Sequence, residues 1–171
     1  MVIFMQIETI EVGDLNTNCY LLNINNEVVI IDPGDEFDKI KKAVNNRKVV
    51  GVLITHFHFD HIGALEEIIG YYNVDTNKVN SSNFKFEIIE TPGHTEDSKT
   101  YYFKQDKIMF VGDFIFKNGI GRTDLGGSNK LMIESLKKIS KYPDNIIIYP
   151  GHGEITTLKN EKNNIKYYYD I

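Results

Sequence analysis

The feature of the sequence that most constrains the fold is a plan that occurs twice. Residues 19–32, CYLLNINNEVVIID, predict a strand, an asparagine-rich turn and a second strand that ends on Asp32. Residues 100–113, TYYFKQDKIMFVGD, predict a similar hairpin that ends on Asp113. The two strands of a short hairpin pair antiparallel, so the sheets of this protein are expected to contain antiparallel pairs.

The same further elements follow each hairpin. Apolar residues recur at helical spacing after each aspartate; they are Phe37, Ile40 and Val44 in the first copy and Met132, Leu136 and Ile139 in the second. An apolar strand comes next, at residues 49–55 and 145–150, and each strand leads to a histidine, His56 or His152. This repeat predicts a two-fold α/β sandwich. An open doubly wound sheet is the alternative, and the hairpins argue against it.

Length and composition indicate one soluble domain over residues 1–171. Hydrophobic residues make up 42% and charged residues 25% of the chain, as in ordinary globular proteins. The net charge of −5 argues against nucleic acid or an anionic membrane as a partner. The N-terminal residues lack the features of a secretory signal and no apolar run approaches the ~20 residues of a membrane span, so a cytoplasmic location is expected. The one cysteine, Cys19, leaves no intramolecular disulfide and no thiolate-rich metal site.

Histidine and aspartate side chains occur at or near the points where predicted strands end. The candidates are His56, His58, Asp60, His61, His94, Asp113 and His152. The first four fall within one short segment, LITHFHFDHIG, at residues 53–63. The ends of neighbouring strands lie side by side, so these side chains can converge on one edge of the fold, where ligands bind in open α/β sheets.

The types of these residues indicate a metal site. Neutral imidazole and carboxylate suit Zn²⁺, Fe²⁺ or Mn²⁺, and three such ligands with a water form a catalytic site. His56 and His58 are two apart in an extended segment and point the same way, whereas Asp60 and His61 begin a predicted helix. Seven candidate ligands are too many for one tetrahedral ion. They suit two ions that lie about 3.5–4 Å from each other and share a carboxylate. A strand with a polar face is the alternative, but it does not explain why all five histidines lie at these positions.

Five motifs in chain order connect the sequence to a known family. They are NTNCYLL, THFHFDH, TPGHT, FVGD and YPGHG. Together they resemble the metallo-β-lactamase superfamily, whose signature is HxHxDH followed by a histidine, an aspartate and a histidine. The resemblance covers essentially the whole chain. Residues 116–128 and 149–164 look like those of the short glyoxalase II (hydroxyacylglutathione hydrolase)-like branch.

The resemblance implies an αββα sandwich with a metal site at the sheet edge. The implied ligands are His56, His58 and His94 for the first metal, Asp60, His61 and His152 for the second, and Asp113 for both. Asp32 matches a position at which a carboxylate orients a ligand loop. The implied cofactors are two divalent metal ions, foremost Zn, with Fe or Mn as alternatives. Two departures from the family bear on the substrate pocket: only 32 residues separate His61 from His94, and Asp97 stands where glycine is usual.

The activity implied by the resemblance is hydrolysis of a thioester or another activated carbonyl by a metal-bound hydroxide. The substrate is expected to be a small molecule, and Asp60 is expected to be catalytic because it would orient the hydroxide and accept its proton. Two other functions stay open: a persulfide dioxygenase with one Fe²⁺ on His56, His94 and Asp113, and a non-catalytic metal-dependent scaffold. A homo-oligomer also stays open.

Several other segments are predicted to be structural. Arg122 is expected to brace its loop through Asp124, Cys19 to pack within a strand, and Ser98 to act as a turn or cap residue. The polar residues 73–83 and the tail rich in asparagine and lysine are expected to be solvated.

Overall fold

The computed structural model describes residues 5–169. Contacts within the chain form two compact units, residues 1–85 and residues 86–171. Each unit contains one copy of the plan that occurs twice in the sequence. The single domain over residues 1–171 stays a prediction, and its two ends lie outside the described residues.

A mixed five-stranded sheet forms the centre of the first unit. The elements are β1 (Gln6–Val12), β2 (Thr17–Ile24), β3 (Glu27–Ile31), α1 (Phe37–Val44), β4 (Lys48–Leu53), α2 (Phe59–Ile62), α3 (Leu65–Tyr72) and β5 (Lys78–Val79). The strands lie side by side in numerical order, and all neighbours are antiparallel except β3 and β4. The chain passes through α1 between these two parallel strands, because a parallel pair needs a crossover connection.

Alternate residues of the central strands pack against the helices of this unit. The cluster includes Cys19, Leu21, Val28 and Ile30 of β2 and β3, Ile40 and Val44 of α1, and Leu65 and Ile68 of α3. The intervening residues Tyr20, Leu22, Val29 and Ile31 are at most 2% exposed. Both faces of β2 and β3 are therefore buried, as the predicted sandwich requires.

The second unit repeats this arrangement. Its elements are β6 (Glu87–Glu90), β7 (Lys99–Phe103), β8 (Ile108–Gly112), β9 (Ile115–Phe116), β10 (Gly119–Ile120), α4 (Asn129–Ile139), β11 (Ile147–Pro150), β12 (Thr156–Thr157) and α5 (Leu158–Tyr167). One sheet has the order β12-β11-β8-β7-β6, with β8 and β11 parallel and the other neighbours antiparallel, and β9 pairs with β10 in a separate hairpin. Met109 and Val111 of β8 pack with residues of α4 and α5.

The structure confirms the predicted hairpins, the two crossover helices and the strands that follow them. The hairpin of β9 and β10, between Asp113 and α4, was not predicted because each strand has only two residues. None of the helices between residues 5 and 169 is long and apolar enough to span a membrane.

The polar tail is a helix, which corrects the prediction of a solvated segment. The side chain of Thr157 accepts a hydrogen bond from the Asn160 N–H and caps α5. Leu158, Glu161 and Ile165 lie on one face of this helix and are buried. The sequence pattern did not indicate this buried face because one of its three residues, Glu161, is charged.

Residues 73–83 are solvated as predicted, because none of them is buried. They contain β5, and the Asn77 side-chain oxygen accepts a hydrogen bond of 2.8 Å from the Ile54 N–H. This contact holds the segment against the end of β4, two residues before His56. The segment therefore supports one of the candidate positions.

Candidate metal centre

In the first unit, the candidate side chains follow the parallel strands. The carboxyl ends of β3 and β4 lie at one edge of the sheet because the strands run in the same direction. Asp32 comes directly after β3, and its N–H donates to the Leu53 carbonyl at the end of β4. His56 follows β4, and Asp60 and His61 lie in the short helix α2. The local fold thus brings four of the predicted ligands to the neighbourhood of Asp32.

In the second unit, three strands end at the same edge. β6 and β11 both run parallel to β8, because β6 is antiparallel to β7 and β7 is antiparallel to β8. Asp113 follows β8 directly, His152 lies two residues after β11, and His94 lies four residues after β6. The Gly151 N–H donates to the Gly112 carbonyl over 2.8 Å and joins two of these strand ends. The expected convergence of side chains at strand ends is confirmed within each unit.

Pairs of nitrogen and oxygen atoms lie close together within each group. In the first unit, His56 Nε2 is 3.2 Å from His58 Nδ1, and His61 Nε2 is 3.5 Å from Asp60 Oδ2. In the second unit, Asp113 Oδ2 is 3.5 Å from both His94 Nε2 and His152 Nε2. Bonds of about 2.0–2.2 Å in a tetrahedral metal site place ligand atoms about 3.2–3.6 Å apart. All four separations match that value.

Asp32 sets the protonation of two histidines in the first unit. Its Oδ2 lies 2.9 Å from His61 Nδ1 and accepts the hydroxyl proton of Thr55 over 2.6 Å. The Thr55 oxygen, having donated its own proton to Asp32, accepts from His56 Nδ1 at 3.1 Å. Both imidazoles therefore carry a proton on Nδ1, which leaves Nε2 as the atom of each ring that can offer a lone pair to a metal. An acceptor on one nitrogen is the usual support of a metal-binding histidine.

His94 has the same kind of support in the second unit. Its Nδ1 lies 2.7 Å from the carbonyl oxygen of Arg122, which can only accept, so the proton is on Nδ1. The lone pair of Nε2 then lies 3.5 Å from Asp113 Oδ2. A lone pair and a carboxylate repel each other unless a cation lies with them, either a proton or a metal ion. The donor set and its tautomers therefore fit a divalent metal.

Some supporting groups were missed in the sequence. The Thr17 hydroxyl donates to Asp60 Oδ2 over 2.9 Å, and it comes from β2, 43 residues earlier in the chain. Thr55 could have been suspected, because a hydroxyl stands directly before His56. The carbonyl of Arg122 gives no signal in a sequence, because every residue offers a carbonyl.

A buried carboxylate ties the β9–β10 hairpin to the segment that carries His152. Glu161 is 1% exposed, and its oxygens accept from the Asn118 N–H over 2.9 Å and the Thr156 hydroxyl over 2.6 Å. Lys117 pairs with Glu154, and the Phe116 ring contacts His152. The chain that leaves Asp113 is thereby held to the chain that carries His152.

Replacing Gly121 by alanine is expected to disturb this centre. A Cβ at residue 121 would lie 1.7 Å from the Asp113 carbonyl oxygen, so the backbone beside Asp113 must move. We expect weaker metal binding by about 10-fold or more, and a loss of stability of about 1–3 kcal/mol as in other overpacked sites. Metal titration and thermal unfolding measure the two effects. Gly119→Ala is the matched control, because nothing lies within 4 Å of a Cβ there. Equal metal affinity in both variants would contradict the expectation.

The residues predicted to be structural have that role. Arg122 donates to both oxygens of Asp124, at 2.7 and 2.6 Å, and lowers the pKa of Asp124 to about 2. Cys19 is fully buried, and burial raises the pKa of its thiol, so it stays protonated at neutral pH. The Ser98 hydroxyl accepts from the Thr95 N–H over 3.1 Å in the turn after His94. These three predictions are confirmed.

Comparison with known proteins identifies the family. The family model of the metallo-beta-lactamase superfamily matches residues 12–80 and 80–152 of this chain. Hydroxyacylglutathione hydrolase GloC of Haemophilus influenzae is 30% identical over 92% of this chain and 95% of that protein. The crystal structure of the BLEG-1 B3 metallo-beta-lactamase has a TM-score of 0.88 at 28% identity, covering 96% of this chain and 100% of that one. TTHA1623 in a di-iron-bound form has a TM-score of 0.83 at 25% identity, with coverages of 92% and 98%.

These similarities confirm the predicted α/β metallo-β-lactamase fold. They extend over both structural units, and the family match includes every candidate ligand from His56 to His152. The protein is therefore a metallo-hydrolase that belongs to the metallo-beta-lactamase superfamily.

Proposed function

We propose that the two groups of side chains together hold two divalent metal ions and that the protein hydrolyses a thioester or another activated carbonyl of a small molecule. The observation that carries this proposal is the position of Asp113. One carboxylate oxygen lies 3.5 Å from the Nε2 atoms of two different histidines, His94 and His152. A shared oxygen of this kind is what two neighbouring metal ions need.

The proposed ligands divide as the family pattern implies. His56, His58 and His94 would hold the first ion, Asp60, His61 and His152 would hold the second, and Asp113 would contribute to both. The separate pairs His56–His58 and Asp60–His61, at 3.2 and 3.5 Å, support this division. Zn is the metal we favour, and Fe and Mn are the alternatives. The alternative of Fe is supported by TTHA1623, a protein of this fold that has been solved in a di-iron-bound form.

The chemistry would depend on a metal ion and on Asp60. A bound divalent metal lowers the pKa of water to about 7 and so supplies hydroxide at neutral pH. Asp60 is the residue we assign to orient the attacking water and to accept its proton at a carboxylate oxygen. The Thr17 hydroxyl, 2.9 Å from Asp60 Oδ2, fixes the carboxylate in one orientation. Asp32 and the Arg122 carbonyl keep lone pairs on the histidines.

Thioester hydrolysis is supported by similarity. The relative from Haemophilus influenzae is named as a hydroxyacylglutathione hydrolase, an enzyme of thioester cleavage, and the aligned region covers nearly the whole of both chains. A thiolate is a good leaving group, so the attacking water and a proton acceptor suffice without a separate general acid. We also propose a cytoplasmic location, where the buried Cys19 would stay a free thiol.

The test combines metal content with oxygen dependence. The full chain is loaded with Zn, Fe or Mn, and bound metal, thiol release from a panel of thioesters, and oxygen uptake with a persulfide are measured. We expect about two metal equivalents and thioester cleavage at the same rate with and without oxygen. Oxygen uptake with a persulfide and no thioester cleavage would show a dioxygenase. Metal binding without either reaction would show a scaffold, and both results contradict the proposal.

A further inference from the structure

A cavity in the first unit lies beside Asp60. Its volume is about 280 Å³. The wall includes Leu15 in the β1–β2 turn, Asp35 after β3, and Phe59 together with Asp60. Since Asp60 is the proposed proton acceptor, the cavity adjoins the place where we expect the reaction.

Two large apolar side chains stand exposed in the wall. Phe59 is 75% exposed and Leu15 is 52% exposed, although both are of types that usually pack inside. Neither belongs to the hydrophobic cluster that the sheet and helices of this unit form. An aliphatic chain that entered the cavity would cover part of this apolar surface.

The charges around the cavity are negative. Asp14 and Asp35 belong to the wall, and Glu36 accepts from the Gly13 N–H over 3.0 Å just beside it. That hydrogen bond, followed by the effect of Lys39, lowers the pKa of Glu36, so this carboxylate is ionised at neutral pH. The Lys39 ammonium group forms an ion pair with Glu36 at 3.2 Å and donates a hydrogen bond to the Glu11 carbonyl oxygen over 2.7 Å. Within residues 5–169, no lysine or arginine belongs to the wall.

We propose that this cavity receives the thiol part of a thioester substrate and selects a neutral or cationic thiol over an anionic one. The proposal rests on the thioester hydrolysis proposed above. The thiol part is the larger half of a short-chain acyl thioester, so it is the half that needs space beyond the reacting carbonyl. Leu15 and Phe59 would contact its methylene groups, and Asp14 and Asp35 would repel a carboxylate or sulfonate at its end.

Three acetyl thioesters with thiols of different charge test the selection. They are acetylthiocholine, which is cationic, its neutral 3,3-dimethylbutyl isostere, and S-acetyl-2-mercaptoethanesulfonate, which is anionic. The kcat/KM of each is divided by its rate constant with free hydroxide, which removes differences in intrinsic reactivity. The metal-loaded full chain is compared with the double variant Asp14→Asn and Asp35→Asn. Asp75→Asn is the control, since Asp75 is an exposed carboxylate of the same unit that pairs with Lys78 and does not belong to the cavity wall.

We expect the corrected ratio of cationic to anionic substrate to exceed 1 and to fall about 10-fold in the double variant, with no change in Asp75→Asn. The neutral isostere should lie between the two. A ratio that is the same in all three proteins would overturn the proposal while leaving thioester hydrolysis intact.

Binding provides a readout that does not depend on turnover. The thioether analogues of the cationic and anionic probes, which cannot be hydrolysed, are titrated by NMR against the metal-loaded chain. Preferential binding of the cationic thioether, lost in the double variant, would support the charge selection even if no thioester were cleaved. Equal binding of the two thioethers would overturn it.

Discussion

Replacing Asp113 by alanine should weaken the binding of both metal ions at once. Its Oδ2 lies 3.5 Å from His94 Nε2 and from His152 Nε2, so one carboxylate serves both proposed ions. Loss of a group that only supports a ligand costs about 10–100-fold in metal affinity, and loss of a shared ligand should cost more than about 100-fold. Competition with a chromophoric chelator measures the affinity of each ion, and we expect thioester hydrolysis to fall with it.

His152→Ala separates a shared ligand from an ordinary one. His152 is assigned to the second ion alone, so this variant should retain about one tightly bound equivalent while Asp113→Ala retains none. Circular dichroism of the two variants shows whether both are folded. If Asp113→Ala bound two ions with unchanged affinity, Asp113 would not be the bridging ligand. If His152→Ala lost both ions, the proposed division would be wrong.

The second large effect is expected for Asp32→Asn, although Asp32 is not itself a proposed ligand. Asparagine tolerates the left-handed backbone of this residue, where φ is 50°, so the turn should persist. However, an amide NH₂ in place of Oδ2 cannot accept from Thr55 and His61. His61 would then carry its proton on Nε2, the atom we assign to the metal. We expect metal affinity and activity to fall by about 10–100-fold.

Nitrogen-15 chemical shifts of the metal-free protein report which ring nitrogen of His61 carries the proton. We expect the proton on Nδ1 in the original chain and on Nε2 in Asp32→Asn. Thr55→Val provides a graded comparison, because it removes the acceptor of His56 and leaves the contact between Asp32 and His61. It should weaken the first ion more than the second. An Asp32→Asn protein with the original tautomer and full metal affinity would refute the assigned role.

The repeated plan of the chain could be predicted from local properties. The hairpins at residues 19–32 and 100–113 follow from alternating apolar runs around polar turns, and α1 and α4 follow from apolar residues at helical spacing. The candidate ligands were also recognisable, because imidazole and carboxylate at strand ends are uncommon unless they bind something. Helix α5 was missed because only part of its buried face is apolar, and its burial depends on residues far away in the chain.

The sequence by itself therefore determined the order of the elements and the chemical types of the candidate ligands, since both depend on residues close together in the chain. Only the tertiary structure decided how those ligands are supported. Thr17 reaches Asp60 across 43 residues, Asp32 reaches His61 across 29, and His94 meets a backbone carbonyl at Arg122. These contacts depend on strand register and on close backbone approaches at residues such as Gly121, which no local pattern of side chains encodes.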